Sequence, residues 1–205
     1  MRVLVACECS NTVRDAFLDK GHDAYSCDIN KADHPNRNYR RHIRCDVRLL
    51  LTEKWDLIIA HPPCTYLSRL SACLFTKGIS LQDQPRYDGI IDGVALFIDC
   101  LEANAEKICV ENPRMHRYAR AIIGVEHTQE IQPYQFGHSH TKATWLWLKN
   151  LPPLVSTNIV NKGTPWVDGG TRGVGQRGEH TGPNGSKMKS KTFEGIARAM
   201  AQQWG

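Results

Sequence analysis

Short apolar runs of four to six residues alternate with amphipathic stretches over the first 110 positions of this 205-residue chain. The runs predict β-strands at residues 3–6, 22–27, 42–45, 56–60 and 107–110. Helical spacing predicts one helix from Ser10, as its capping residue, to Lys20, and a longer helix from Tyr87 to Ala103. The expected buried faces are Val13, Ala16 and Phe17 in the first helix, and Ile91, Val94, Ala95, Ile98 and Leu101 in the second. Strands that alternate with helices predict an α/β fold with a mostly parallel sheet and helices on both sides.

The pattern changes after residue 130. Residues 132–136 and 144–148 predict two strands joined by a polar turn, hence a terminal antiparallel hairpin, and residues 193–204 predict a closing amphipathic helix. Between them, a basic and glycine-rich segment at about 155–191 shows no clear periodicity, which predicts a long loop. We therefore expect a single domain over residues 1–205 that carries this loop.

Composition narrows the class of protein. Hydrophobic residues make up 41% and charged residues 23%, and no apolar run is long enough to cross a bilayer, so we expect no membrane span. The first residues predict a strand rather than a signal peptide, which favours a cytoplasmic protein. The eight cysteines are spread over predicted strands and helices, which favours reduced thiols. Only Cys7 and Cys9 stand close together and no CxxC pair occurs, so we expect no metal site.

The formal net charge of +5 is compatible with a polyanionic partner. Two clusters contribute to it: Arg37, Arg40, Arg41 and Arg44 form one, and Lys187, Lys189 and Lys191 form the other. A solvated surface explains either cluster equally well.

Four chemically suggestive side chains, Asp28, Asp46, Cys64 and Glu111, follow the predicted strand ends. Ligands of open parallel sheets bind at the carboxyl ends of the strands, so we expect these side chains to line one site. Pro62 and Pro63 place the Cys64 thiol on a stiff turn, which by itself fits a structural cysteine equally well.

A thiol and a carboxylic acid on neighbouring strands favour chemistry at carbon 5 of a pyrimidine. A thiolate that adds to carbon 6 makes carbon 5 nucleophilic. An acid bonded to N3 and to the exocyclic amine stabilises the charge that develops during this addition.

These residues resemble the DNA cytosine-5 methyltransferases, and in particular a short version encoded by phages and prophages that lacks a full target-recognition domain. The family's nucleophile motif matches Pro62, Pro63, Cys64 and Ser68, and its Glu-Asn-Val motif matches Glu111 and Asn112, with Pro113 in place of the valine. Its ribose-binding acid matches Asp28, and its adenine-contacting pair matches Asp46 and Val47. The short version also resembles residues 135–138, 142–144, 146–149 and 192–205.

The resemblance implies a Rossmann-like S-adenosylmethionine-dependent methyltransferase fold, S-adenosylmethionine as cofactor, and DNA with a flipped-out cytosine as substrate. It implies a protein that works in the cytoplasm of a bacterial host cell. The implied catalytic residues are Cys64 and Glu111; the implied cofactor-binding residues are Cys7, Glu8, Asn11, Asp28, Ile29, Asp46, Val47 and Pro62. The implied substrate-binding residues are Pro63, Ser68, Asn112, Arg172 and Lys189.

Three segments depart from the family's pattern. The glycine-rich first motif is replaced by residues 7–11, in which Asn11 is the residue best able to adopt a positive φ. Lys142 or His140 takes the place of the arginines that contact the target base. The basic loop replaces the target-recognition domain, and it can hold phosphates but offers little surface for reading bases.

Three functions remain open from the sequence. The first is methyl transfer to cytosine in DNA, and the second is modification of a free pyrimidine nucleotide. The third is a non-catalytic relative that binds nucleic acid or nucleotides without the cofactor.

Overall fold

The computed structural model describes residues 1–33, 38–69, 84–166 and 191–205, and everything below concerns these residues. The strands are β1 (Arg2–Ala6), β2 (Asp23–Asp28), β3 (His42–Arg44), β4 (Trp55–Ala60), β5 (Ala105–Pro113), β6 (Gln129–Ile131), β7 (His140–Thr141), β8 (Thr144–Lys149) and β9 (Thr164–Pro165). The α-helices are α1 (Thr12–Asp19), α2 (Arg48–Leu51), α3 (Gln84–Leu101), α4 (Arg117–Ile123) and α5 (Glu194–Trp204). Short 3₁₀ turns cover Tyr39–Arg41 and Pro133–Gln135.

Seven strands form one sheet in the order β3-β2-β1-β4-β5-β8-β6. The first five strands of the chain pair in parallel, and β8 runs antiparallel to both of its neighbours. The strand order reverses between β1 and β4, as it does in Rossmann-type sheets, where ligands bind at this point beyond the carboxyl ends. The prediction of a Rossmann-like α/β fold with a mostly parallel sheet is confirmed.

Alternate strand residues enter two separate cores, one on each face of the sheet. Val3 and Val5 of β1 face the core that includes α1 and α5, whereas Leu4 and Ala6 face the core that includes α2, α3 and α4. This alternation is the period of two that pleated strands impose, and both faces are apolar because helices cover both. In the part of the chain described here, every helix is too short or too polar to cross a bilayer.

The terminal hairpin is present, but its first strand is β6, which ends at Ile131. The prediction of a strand at 132–136 is wrong. Pro133 has no N–H to donate to a ladder, and Pro133–Gln135 instead form a 3₁₀ turn closed by a capping box between Gln132 and Gln135.

Strand β5 continues three residues beyond the predicted end at residue 110. Its pairing with β4 ends at Ala60↔Val110, but β8 continues to pair with it at Glu111↔Leu146 and Asn112↔Trp145. The prediction that Glu111 lies past a strand end is therefore wrong, since the antiparallel neighbour extends the strand.

Helix α3 buries only part of the predicted face: Val94 is in the core and Ile98 and Leu101 pack against it, but Ile91 and Ala95 do not. Ile90, Val94, Phe97 and Cys100 are buried, whereas Ile91 is 46% exposed. Ala95 is also exposed. Apolar residues occupy more than one side of this helix, so the spacing alone did not determine which side faces the sheet.

Part of the predicted basic loop is described. Residues 155–166 include β9, which pairs in parallel with β7. The remainder of the loop, and with it Arg172, Lys187 and Lys189, lies outside the described residues, as does Arg37 of the arginine cluster.

The first loop reaches helix α1 without glycine. Asn11 adopts the left-handed conformation with φ 66°, as predicted, and the helix begins at Thr12 rather than after a Ser10 cap. The N-cap residue Asn11 makes no side-chain capping bond to the helix; Ser10 Oγ accepts the N–H of Thr12 (3.3 Å), and the buried side chain of Glu8 caps the next two N–H groups. Its carboxylate accepts hydrogen bonds from the backbone N–H groups of Val13 (2.8 Å) and Arg14 (3.2 Å) and from the Ser10 hydroxyl (3.0 Å). The loop is thus closed by an internal carboxylate on the positive end of the helix.

We expect Glu8→Ala to lower the free energy of unfolding by about 1–3 kcal/mol, because buried N–H donors of α1 lose their acceptor. Glu8→Gln keeps one acceptor oxygen and should lose less. Urea denaturation followed by circular dichroism measures both variants, and an unchanged Glu8→Ala midpoint would contradict the capping role.

Candidate active site

Cys64 lies on the turn that follows β4, and backbone bonds hold this turn against both neighbouring strands. The N–H of His61 donates to the carbonyl of Ala6 at the end of β1 (2.9 Å). On the other side, Nδ2 of the buried Asn112 donates to the carbonyl of Pro62 (2.9 Å). The Cys64 carbonyl in turn accepts from the N–H groups of Leu67 and Ser68 (3.1 and 3.0 Å). The thiol is therefore carried by a turn with little freedom, and it is partly exposed.

Glu111 enters the same space from β5. The pairing Ala60↔Val110 makes residue 61 the next position beside Glu111 across the two parallel strands. The ring of His61 occupies that position, and its Nδ1 donates to Oε2 of Glu111 at 2.9 Å. Both side chains are largely buried, with exposed fractions of 10% and 14%. Burial of this pair in low dielectric strengthens the hydrogen bond.

Thiol, carboxylate and one lysine interact electrostatically. Burial and the nearby charge of Glu111 raise the pKa of the Cys64 thiol, while the ammonium of Lys142 lowers it. Burial also acts to raise the pKa of Glu111, but the hydrogen bond and charge of His61, together with Lys142, bring this pKa below its ordinary value. Cys64, Glu111 and Lys142 therefore lie within one site, and the net effect favours a protonated thiol beside an ionised carboxylate.

A second group of predicted residues lies at the ends of β1 and β2. Oδ1 of Asp28 accepts from the backbone N–H and the side-chain amide of Asn30 (2.8 and 2.9 Å). As far as the described residues go, its Oδ2 remains open to a ligand. Beside it, the apolar side chain of Ile29 is 69% exposed. A carboxylate oxygen next to an exposed apolar surface suits the ribose hydroxyls and the adenine of a nucleoside.

The remaining cofactor-site predictions fall near these residues. Asp46 is exposed and accepts from the N–H of Arg48 (3.0 Å), while Val47 is buried in the core. Cys7 has a positive φ of 59°. Glu8 is engaged by helix α1, as described above, so its carboxylate shapes the loop rather than facing a ligand.

The other predicted site residues have distinct surroundings. Pro63 is exposed, and Ser68 is buried in a bridge with Met115. His140 packs against Trp166 and Phe193, with ring centroids 4.7 and 5.9 Å apart. Arg172 and Lys189 lie outside the described residues. Within the described ranges, no three His, Cys, Asp or Glu side chains are grouped so as to hold a metal ion.

Sequence reasoning missed His61. A signal was available, because a residue before proline favours an extended backbone and so continues the direction of β4 toward the neighbouring strand end. An ionisable residue at that position belongs to the same strand-end group as Glu111.

No protein-family model matches the chain, and no curated protein matches its sequence. Similar solved structures include a protein described as a DNA modification methyltransferase encoded within a prophage of E. coli, with 14% identity over 72% of this chain and 46% of that chain and a TM-score of 0.45. Another is the S. pombe Dnmt2 methyltransferase, with 15% identity over 72% of this chain and 48% of that chain and a TM-score of 0.40. A third is an rRNA methylase from Escherichia coli, with 19% identity over 72% of this chain and 56% of that chain and a TM-score of 0.38.

This chain spans about half the length of the first two structures. Likeness at these identities and TM-scores does not carry the activity of those proteins over to this chain.

The electrostatic coupling predicts how Cys64 reacts with iodoacetamide. Lys142→Gln should move the pH midpoint of Cys64 alkylation upward, because the thiolate loses its cation, and Glu111→Gln should move it downward. Mass spectrometry of the Cys64 peptide separates this thiol from the others. Lys142→Arg, which retains the charge, serves as control, and an unchanged midpoint in both Gln variants would show that the three groups are not coupled.

Removal of the His61 ring should raise the pKa of Glu111, because burial is then opposed by Lys142 alone. The carboxyl carbon-13 signal of Glu111, followed against pH in the wild type and in His61→Ala, measures this change. In the wild type the lowered pKa stabilises the fold above the ordinary value of 4.5, and this stabilisation is lost as the pH falls through the folded-state pKa. A Glu111 titration that is the same in both proteins would rule out this role of His61.

Proposed function

We propose that this chain is an S-adenosylmethionine-dependent methyltransferase that acts on carbon 5 of cytosine in DNA through a covalent adduct at Cys64. One observation carries the proposal: the Cys64 thiol lies close enough to the Glu111 carboxylate and the Lys142 ammonium for both charges to act on it, near the carboxyl ends of the adjacent parallel strands β4 and β5. A nucleophile, an acid and a cation are the groups that addition to a pyrimidine ring requires.

S-adenosylmethionine, when bound, supplies an electrophilic methyl group. In this proposal Asp28 binds its ribose through Oδ2 and Ile29 packs on its adenine, with Asp46, Val47, Cys7, Asn11 and Pro62 completing the cleft. The fit rests on the open carboxylate oxygen and on the exposed isoleucine beside it. Glu8 contributes by holding the loop of residues 7–11 on the end of α1.

Proton movement links the thiol to the acid. Before substrate binds, the ionised Glu111 opposes loss of the Cys64 proton, so the thiol is held in its unreactive form. Transfer of that proton to Glu111 removes the opposing charge and leaves a carboxylic acid that can donate to N3 of the cytosine. The Cys64 sulfur then adds to carbon 6 as N3 takes up the proton.

The later steps return the enzyme to its starting state. Carbon 5, now nucleophilic, would take the methyl group from the sulfonium of the bound cofactor, with S-adenosylhomocysteine as the leaving group, and a base would remove the carbon-5 proton. As the bond between sulfur and carbon 6 breaks, N3 returns its proton to Glu111, and Glu111 passes it to the departing Cys64 thiolate, which Lys142 stabilises. His140, Pro63, Ser68 and Asn112 remain proposed substrate-side residues, with Asn112 acting through its bond to the Pro62 carbonyl.

The test is incubation of the protein with S-adenosylmethionine and an oligodeoxynucleotide that contains 5-fluorocytosine. Fluorine in place of the carbon-5 proton blocks the elimination step, so the methylated base should remain bonded to Cys64. A denaturing gel and mass spectrometry of the Cys64 peptide detect the adduct. We expect none with Cys64→Ser, and trapping slowed by about 10²- to 10⁴-fold with Glu111→Gln.

Cys109→Ala is the matched control, because Cys109 is buried in the core on the face of α1 and α5, and this variant should still form the adduct. Parallel arms separate the alternatives. Trapping of 5-fluorodeoxycytidine monophosphate but not of the oligodeoxynucleotide would favour the free-nucleotide reaction. DNA binding without cofactor binding in calorimetry would favour a non-catalytic relative. Near-normal methyl transfer by Cys64→Ala would refute the covalent mechanism.

A further inference from the structure

A basic groove, distinct from the clusters that the sequence suggested, lies between the start of α4 and the hairpin strands. It encloses about 970 Å³. Four arginines, the exposed Tyr118 and the largely buried Trp145 line it; the arginines are Arg69, Arg114, Arg117 and Arg120. Residues distant in sequence form the groove, so no single segment of the chain indicated it.

The groove begins where the two reactive chain segments leave the proposed active site. The N–H of Arg69 donates to the carbonyl of Arg114 (2.8 Å), and the N–H of His116 donates to the carbonyl of Leu67 (3.0 Å). These bonds join the segment that follows Cys64 to the segment that follows Glu111. Arg69 lies five positions after Cys64 in the chain, so their Cα atoms are at most about 17 Å apart. A DNA strand advances about 3.4 Å per nucleotide in a duplex, so the groove is within reach of phosphates a few nucleotides from the target base.

The arginines of the groove differ in their partners. Arg114 binds both carboxylate oxygens of Glu130 (2.7 Å each), and Arg120 binds Glu126 (2.6 Å). Arg69 and Arg117 are exposed, and neither has an acidic partner in the described part of the chain. The guanidinium groups of Arg69 and Arg117 can therefore bind an external anion, whereas carboxylates of the protein orient the other two.

Aromatic side chains lie beside the arginines of the groove. Tyr118 is 47% exposed, and the guanidinium of Arg117 lies over its ring at 4.7 Å. At the other wall, Trp145 is only 8% exposed, because the ring of His127 stacks on it with centroids 4.0 Å apart, so Tyr118 rather than Trp145 offers an exposed ring. Alternating guanidinium and aromatic surfaces are typical of grooves that follow a nucleic-acid strand, because phosphates bind the former and bases stack on the latter.

We infer that the basic groove binds the phosphodiester backbone of the DNA strand that carries the target cytosine, with Arg69 and Arg117 as the phosphate ligands. The inference rests on the proposed function and specifies its substrate as a polynucleotide. It also assigns strand binding to a site other than the basic loop at about 155–191.

The test measures DNA binding separately from catalysis. A fluorescein-labelled 12-nucleotide single strand with one cytosine is titrated with protein at several salt concentrations, and anisotropy gives the dissociation constant. The double variant Arg69→Gln/Arg117→Gln should bind at least about tenfold more weakly. Its slope of log affinity against log salt should be shallower by about 1.4, since two contacts are lost at about 0.7 each for single strands. Arg69→Lys/Arg117→Lys retains both charges and should restore most of the slope.

Lys54→Gln is the matched control. This exposed lysine lies at the amino end of β4, on the opposite edge of the sheet, so its loss should leave affinity and slope unchanged. Lys54→Gln should likewise leave the rate of 5-fluorocytosine trapping unchanged. Wild-type affinity and slope in the double Gln variant would overturn the inference while leaving the Cys64 chemistry intact. Tighter groove-dependent binding of RNA of the same sequence would overturn its assignment to DNA.

Failure of the proposed function has a different signature. The wild type would then form no adduct, although its salt-dependent binding through Arg69 and Arg117 could still be measured.

Discussion

The parallel pairing of β4 with β5 is the constraint on which the rest of the site depends. Because Ala60 is opposite Val110, the residue that follows β4 must lie beside Glu111, and that residue is His61. The two prolines that follow prevent the chain from continuing as a strand and turn Cys64 back over the same edge. A shift of one residue in this register would direct Glu111 to the opposite face of the sheet and separate it from the thiol. The positions of the proposed reactive groups therefore depend first on the register of these two strands and only then on the conformation of the loops.

The loop between β1 and α1 sets a second constraint, which concerns the place where a cofactor can bind. In Rossmann-type folds the turn after β1 is usually glycine-rich, which leaves the positive end of the first helix free for a ligand. Here the carboxylate of Glu8 occupies that end, and Asn11 provides the left-handed backbone position that glycine otherwise provides. A cofactor bound by this chain would therefore rely more on the ends of β2 and β3, where Asp28 and Ile29 are open, than on the end of α1.

The hydrophobic pattern was sufficient to predict the five parallel strands, because a strand buried on both faces must be a continuous apolar run. It was insufficient where the outcome depended on a partner element. Only part of the predicted face of α3 is buried, because the helix is apolar on more than one side, and the extension of β5 through Glu111 depends on β8, about 35 positions away in the chain. The pairing of Cys64 with Glu111 could be expected from strand order alone, and the structure brings both residues to one edge. The basic groove could not be expected, since its arginines converge only through the bonds that join the segments after Cys64 and Glu111.

The environment of the thiols distinguishes Cys64 from the other cysteines. Burial raises the pKa of Cys27 and Cys109 and raises that of Cys9 to about 11, and among the described residues no cation counteracts the effect at these three positions. Burial also raises the pKa of Cys64, but among the described cysteines it alone combines partial exposure with a neighbouring ammonium and a neighbouring carboxylate. In the proposed mechanism the thiol stays protonated while Glu111 is ionised, and it becomes nucleophilic when a base that takes up a proton at N3 occupies the site. Reactivity is thereby linked to the presence of the correct ring, which a permanently ionised cysteine would not provide.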